Sequence, residues 1–240
     1  MYLFYATDIP SSIQIGQTFQ LDDEQSAHAV RVLRYTTGDP IYVADGRGTI
    51  YDGRISNPHP KHCEVQVSSI EPQVKHHNAD VHIAVAPTKN IERIEWMAEK
   101  CTEIGVDTLT PLLCHYSERK VIRTDRLRKI ILSAAKQSLS AYLPVLNELT
   151  SVKDCIMNAC EEHRYIAHSS PWTDKRDLRD ELKTINGQRS VIVLIGPEGG
   201  FSDDEVRLAM EHGFFPVSLG DARLRTETAA IVACTMINYV

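Results

Sequence analysis

The chain has 240 residues, 42% hydrophobic and 24% charged, the balance of an ordinary soluble globular protein with room for one large core or two modest ones. No apolar run approaches the ~20 residues that span a bilayer, and the start Met-Tyr-Leu-Phe-Tyr-Ala-Thr-Asp has no basic stretch leading into an apolar one, so no export signal and a cytoplasmic location are expected. A net charge of −6 argues against general coating of nucleic acid.

The first third reads as β-rich. Short apolar segments occur at Tyr2–Ala6, Pro40–Ala44, Thr49–Ile55 and Glu64–Ile70, with Asp45-Gly46-Arg47-Gly48 a hairpin turn between two of them. Ala27, Val30 and Leu33 recur every third residue and predict a helix over Asp23–Arg34. The resulting β-α-β-β-β order suggests a small barrel. His59, His62 and Cys63 could in principle offer metal ligands, but Asn57-Pro58-His59-Pro60 is dense in turn formers, so a surface turn entering a strand is preferred and no metal is expected. The other cysteines are scattered, without a C-x-x-C pair, and read as buried thiols.

Glu71–Asn78 is poor in apolar residues and reads as a linker, giving expected domains of 1–72 and 73–240. Strands and helices then alternate. Strand Val81–Ala86 precedes a helix over Asn90–Ile104, striped by Ile91, Ile94, Met97, Cys101 and Ile104 and stopped by Gly105. There follow a strand near Thr108–Cys114, helices over Asp125–Leu139 and Val152–Cys160, a strand at Arg164–His168 and a polar helix around Lys175–Lys183. Val191–Ile195 is wholly apolar, as a central parallel strand buried on both faces should be. Strand Phe215–Leu219 and helix Glu227–Val240 complete an α/β domain with a parallel sheet. Between Glu118 and Lys136 lie Arg119, Lys120, Arg123, Arg126, Arg128, Lys129 and Lys136 against two acids, a segment of +5 that leaves −11 elsewhere. Such a run is either a solvated helix face or a local phosphate-binding patch.

Two loops stand where chemistry concentrates in a parallel sheet, just beyond strand C-termini. The first is Ile195-Gly196-Pro197-Glu198-Gly199-Gly200-Phe201-Ser202, where Ser202 and Glu205 form a capping box and Asp203 and Asp204 suit the helix dipole. It matches neither a P-loop nor a dinucleotide fingerprint, and its acidic helix start disfavours phosphate. A ligand without phosphate, S-adenosylmethionine among them, and a bare glycine turn fit this loop equally. The second is Leu219-Gly220-Asp221-Ala222-Arg223-Leu224-Arg225-Thr226-Glu227-Thr228, with Thr226 or Thr228 a possible N-cap. Its two arginines and glutamate are either site residues or a surface salt-bridge cluster.

Together GPEGGFS and LGDARLRTETAA resemble the signature of the RsmE family, the 16S (small-subunit) ribosomal RNA uracil-N3 methyltransferases of the SPOUT superfamily. HAVRVLRYTTGD with VADGRGTIYDGRI resembles that family's PUA-like RNA-binding barrel, KCTEIGV its first methyltransferase-domain helix, and AAKQS with LPVL a mid-domain motif. Two departures bear on RNA docking: Leu139-Ser140 stands where members often carry a basic residue, and Tyr2–Tyr5 lacks an arginine common near the start.

The resemblance implies a homodimer, a C-terminal domain tied in a trefoil knot, and S-adenosylmethionine held by the two loops. Leu194, Ile195, Gly196, Glu198, Gly199 and Gly200 would contribute from the first, and Leu219, Gly220, Leu224 and Thr226 from the second. Leu219 and Leu224 would wall the adenine. Arg225 or Arg223 would stabilise charge on a uracil carbonyl oxygen, and Glu227 would take the N3 proton or orient an arginine. Arg31, Arg34, Arg119, Lys120, Arg123 and Arg126 would position ribosomal RNA, the partner, through its phosphates. Competing readings are a SPOUT enzyme acting on transfer RNA or a ribose 2′-oxygen, a non-catalytic RNA-binding adaptor, and an oxidoreductase whose glycine fingerprint is missing.

Overall fold

A computed structural model describes residues 2–75, 79–168, 174–185, 187 and 189–240. The chain divides into two compact units, Met1–His76 with Ala135–Leu143, and His77–Ala134 with Pro144–Val240.

The first unit contains strands β1 (Leu3–Tyr5), β2 (Thr18–Gln20), β3 (Pro40–Ala44), β4 (Thr49–Asn57) and β5 (Glu64–Pro72), with helix α1 (Asp23–Ala27) after β2. They form one sheet in the order β1-β3-β4-β5-β2. Register shifts between Asp52 and Gly53 and between Ile55 and Asn57 bend β4, as bulges do. The sheet curls into a half-barrel around Phe4, Phe19, Ile41, Val43, Tyr51, Ile55 and Val65. Tyr142, from the distant segment, bridges Gly46 and Arg47, and Gly48 N–H donates to the Ala141 carbonyl at 3.1 Å. Spatial contacts of this kind leave no local pattern in sequence.

Three expectations need correction here. The helix over Asp23–Arg34 is α-helical only to Ala27; His28–Val32 is a π-helical turn, and Arg34 is left-handed at φ 58°. A three-residue apolar spacing does not distinguish an α-turn from the wider π-turn that follows. Glu71 and Pro72 belong to β5 rather than to a linker, because the long ladder with β4 holds them; residues 76–78 of the expected linker lie outside the described residues. The strand β2 was not expected, since three residues show too little alternation to register.

The second unit runs β6 (Ala79–Val85), α2 (Ile91–Ile104), β7 (Thr108–Leu113), α3 (Thr124–Gln137, its last turn counted with the first unit), β8 (Val145–Leu146), β9 (Thr150–Ser151) and α4 (Val152–Asn158). It continues with β10 (His163–Ala167), β11 (Arg176–Asp177), α5 (Leu178–Lys183), β12 (Arg189–Ile195), α6 (Asp203–Glu211), β13 (Phe215–Ser218) and α7 (Thr226–Tyr239). The sheet order is β11-β13-β10-β12-β6-β7-β8, with β9 also on β7. The pairs are parallel. Strand β12 is central, and its Val191–Ile195 run is buried, as its unbroken apolar character requires. Each side chain of that kind contributes ~1.5–3 kcal/mol on burial.

Helix α2 starts where the Asn90 side chain accepts from the Glu92 N–H and stops at left-handed Gly105, φ 111°. Ile94, Met97, Ala98 and Cys101 form its buried stripe. The expected polar helix at Lys175–Lys183 instead opens with the two-residue strand β11, because Arg176 and Asp177 pair with β13; Asp177 then caps α5. Five cysteines are buried and Cys160 is exposed. Among the described residues, no helix is long and apolar enough to cross a membrane.

Candidate functional site

The C-terminal ends of β6, β10 and β12 lie side by side, with Val85 opposite Ile195 and Ile195 opposite Ala167. Leaving β12, the chain turns sharply: Gly200 N–H donates to the Pro197 carbonyl at 2.8 Å, and Gly200 takes φ 74°, a conformation that favours glycine. Phe201 then anchors the loop in the core. Ser202 and Glu205 make the expected reciprocal capping box on α6, a motif worth about 1 kcal/mol. The other oxygen of Glu205 accepts the His115 N–H at 2.7 Å, so the capping residue also fixes the loop after β7.

That loop comes very close. A Cβ on Gly199 would stand 2.9 Å from the Cβ of Tyr116, and one on Gly196 would meet Gly200 and Phe201 at 3.1 and 3.2 Å. Glu198 accepts the Lys89 N–H at 3.0 Å. Arg119 donates to the carbonyls of Thr88 and Lys89 at 3.0 and 2.6 Å. The segments after β6, β7 and β12 are thus laced together by charge-assisted bonds to backbone, which are stronger than neutral ones.

The second loop meets the first. Gly220, at φ 115°, is held by bonds to the Ser218 hydroxyl, and the Thr226 hydroxyl donates to the Gly196 carbonyl at 3.1 Å. Neither expected threonine is the N-cap of α7. Arg225 holds that position, without a side-chain capping bond, because Thr226 is already helical and spends its hydroxyl on Gly196. Arg225 and Arg223 are exposed, and Leu219 and Leu224 are half-buried. Glu227 is only 6% exposed. Its Oε1 lies 3.6 Å from Arg93 Nη1 on α2, and its buried Oε2 takes no hydrogen bond from a described residue.

The first-loop residues divide. Gly196, Glu198, Gly199 and Gly200 are in the loop itself, whereas the Leu194 side chain is sealed in the core and Ile195 gives its carbonyl to the Ala86 N–H at 2.9 Å. The basic run divides as well. Arg119 is occupied by backbone carbonyls, Arg126 pairs with Glu95 at 2.6 Å and Arg128 with Glu148 at 2.5 Å. Lys120 and Arg123 are exposed, as are Arg31 and Arg34 in the first unit. Arg93, Lys89 and Tyr116 escaped the sequence reading, because only the folded sheet brings them to the two loops.

Residues 75–238 match the family described as the RNA methyltransferase domain, and residues 21–68 match the RNA methyltransferase PUA domain. A Porphyromonas gingivalis protein described as an rRNA-methyltransferase is 41% identical, covering 99% of this chain and 97% of its own, with a TM-score of 0.86. A Legionella pneumophila protein described as a methyltransferase, solved with the bound cofactor SAM, is 30% identical over 98% of this chain and 96% of its own, with a TM-score of 0.82. The Ribosomal RNA small subunit methyltransferase E of Buchnera aphidicola is 26% identical over 95% of this chain and 90% of its own. With residues 75–238 matched by the RNA methyltransferase domain and residues 21–68 by the PUA domain ahead of it, the chain belongs to the RNA methyltransferase family.

Proposed function

We propose that this protein transfers a methyl group from S-adenosylmethionine to N3 of a uridine in small-subunit (16S) ribosomal RNA. The observation that carries the reading is the meeting of the two loops, where Thr226 grips Gly196 beside a buried Glu227 with one oxygen that takes no hydrogen bond from a described residue. The names of the relatives supply the substrate class, and the Legionella pneumophila structure supplies the cofactor.

The residues fit such a cofactor. A Cβ at Gly196 or Gly199 would press on Gly200, Phe201 or Tyr116, so glycine there lets the loops close on one another, whereas a Cβ at Gly200 or Gly220 would meet open space, room in which a ligand can lie against the backbone. Asp203 and Asp204 are exposed at the first turn of α6, which suits a cationic sulfonium and opposes a phosphate. When bound, S-adenosylmethionine supplies an electrophilic methyl group. Gly196, Glu198, Gly199 and Gly200, with the backbone of Leu194 and Ile195, would hold it from one side. Leu219, Gly220, Leu224 and Thr226 would hold it from the other.

Uracil N3 must lose its proton, which builds negative charge on the flanking carbonyl oxygens. Arg225, exposed at the helix start, is placed to donate to one of them, with Arg223 two residues before it; such donors act where charge develops. Glu227 Oε2 is the acceptor with spare capacity for the proton, and Arg93 holds the other oxygen. The enzyme would work as a cytoplasmic homodimer, its C-terminal domain knotted where the chain passes between the two loops, with domains at 1–72 and 73–240. Lys120, Arg123, Arg31 and Arg34 would lead the contacts to RNA phosphates.

The test is calorimetric titration with S-adenosylmethionine, followed by single-turnover methylation of small-subunit rRNA and mapping of the modified atom. Binding with methylation at uridine N3 is expected. Absence of cofactor binding, or methylation of a ribose oxygen, would overturn the reading.

A further inference from the structure

Four rings in the first unit form a connected set around the π-helical turn. Tyr2 meets His28 edge-on, centroids 6.3 Å apart at 74°, His28 lies 5.8 Å from Phe4, and Phe4 lies 6.3 Å from Tyr35. Tyr35 is pushed up in pKa by burial first, then by the charges of Asp39 and Tyr2, which brings Tyr2 back to the far end of the same cluster. Phe4 is core, but Tyr2 is 58% exposed. An aromatic ring kept largely in water beside a half-buried one leaves apolar area open to a partner.

The backbone beneath it is irregular twice in seven residues. His28–Val32 is π-helical, closed by the Leu33 N–H donating to the His28 carbonyl at 3.0 Å, and Arg34 is left-handed at φ 58°. Both are costly departures for a chain that could have continued as α-helix, and such departures gather at functional sites. On this turn Val32, four residues after His28, stands 67% exposed. Arg31 and Arg34 are exposed, and their side chains make no hydrogen bond or ion pair with a described residue. In a chain of net charge −6, two exposed arginines on the same turn as an open valine, a turn whose His28 touches the open ring of Tyr2, suit a polyanionic partner that also offers flat apolar faces.

We infer that Tyr2, His28 and Val32 form a stacking platform for an unpaired base of the RNA substrate, with Arg31 and Arg34 taking the adjoining phosphates. The inference rests on the proposed RNA substrate and names the part of it this surface reads: a single-stranded nucleotide rather than a duplex. A base in a duplex has its faces covered by its neighbours, whereas an unpaired base presents a free face to an aromatic ring. Recognition of this kind tolerates any base and selects for strandedness.

The test uses the full chain and a single-stranded RNA oligonucleotide carrying 2-aminopurine, alone and annealed to its complement. For the single strand, Tyr2→Ala should weaken binding about tenfold, the effect of losing one base–aromatic stack, and should abolish part of the fluorescence quenching. Tyr2→Trp should retain both. Duplex binding should change less than about twofold with Tyr2→Ala, since a closed duplex offers no face to stack on. In a salt series, Arg31→Gln and Arg34→Gln should each lower the slope by about one, while Tyr2→Ala leaves it unchanged. Unchanged single-strand affinity in Tyr2→Ala, or equal losses for single strand and duplex, would overturn the inference. Cofactor titration of the same variants separates the two readings: intact S-adenosylmethionine binding with no response to Tyr2 sinks the platform alone.

Discussion

The Thr226 hydroxyl donates to the carbonyl of Gly196 at 3.1 Å, joining the first turn of α7 to the loop that leaves the central strand thirty residues earlier. One bond thus sets the spacing of the two loops proposed to enclose the cofactor. Thr226→Val keeps the shape and the β-branch but removes the donor, leaving a part-buried carbonyl unpaired. The expected cost is about 1 kcal/mol of stability, and cofactor affinity should fall about fivefold, which corresponds to a similar free energy. Thr226→Ser should restore both. Thermal melts and calorimetric titration of the three proteins check this, and a Thr226→Val protein that binds the cofactor normally would mean that the bond does not set the site.

Glu227 sits with one oxygen near Arg93 and the other buried, without a donor among the described residues. A carboxylate left so is maintained for a reason or tolerated at a cost. If it accepts the uracil proton, Glu227→Gln removes the acceptor while keeping the shape, and single-turnover methyl transfer should slow by a factor of ~100 or more, the usual reach of general-base catalysis. Cofactor affinity should hold. Arg93→Met should lower stability by about 1–2 kcal/mol, a figure reduced from that of a fully buried pair because Arg93 is partly exposed. Equal rates for Glu227→Gln and the parent would remove Glu227 from the chemistry.

Much of the second unit was legible because its signals are local. Ser202 with Glu205 marks a helix start through bonds spanning three residues, and Val191–Ile195 can hardly be anything but a buried strand. The two loops proposed to form the site drew notice for the same reason: glycines and charges stood directly after strands. What stayed hidden depends on residues far apart in the chain. Nothing near Arg119 announces that it is spent on the carbonyls of Thr88 and Lys89, and nothing near Glu227 announces Arg93. The two-residue strands β8, β9 and β11 exist only because a neighbour strand pairs with them. The π-turn at His28–Val32 shares the composition of an α-turn, so spacing alone could not reveal it.

Charge pairing changes which arginines can serve RNA. Arg126 is bound to Glu95 at 2.6 Å and Arg128 to Glu148 at 2.5 Å, whereas Lys120 and Arg123 extend into solvent. A paired guanidinium releases fewer counterions on meeting a phosphate, since its charge is already partly neutralised. Arg123→Gln and Lys120→Gln should therefore each lower the slope of log affinity against log salt by about one, with cofactor binding unaffected. Arg126→Gln should lower it by much less. Filter binding to small-subunit rRNA across a salt series decides the matter, and equal slopes for Arg123→Gln and Arg126→Gln would show that the Glu95 pair does not persist in solution.

His168 directly follows β10, the neighbour of the central strand. Burial first, then Lys175, lowers its pKa to about 4, with Asp203 opposing them. An unfolded imidazole titrates near ~6.5. Because the folded value lies below the unfolded one, the unfolded chain carries the extra proton between these two pH values, and stability falls as pH falls through that window. Above about pH 6.5 the contribution is fully present. His168→Asn abolishes the titration, so the difference in melting temperature between parent and variant should be constant above about pH 7. It should shift in the variant's favour as the pH drops toward about 4, where other carboxylates act on both proteins alike. Parallel melting curves throughout would mean that His168 is as open to water in the folded protein as in the unfolded chain. A narrowing gap would show that this end of the sheet keeps the imidazole neutral at working pH, and with it a hydrogen-bond acceptor beside the start of α6.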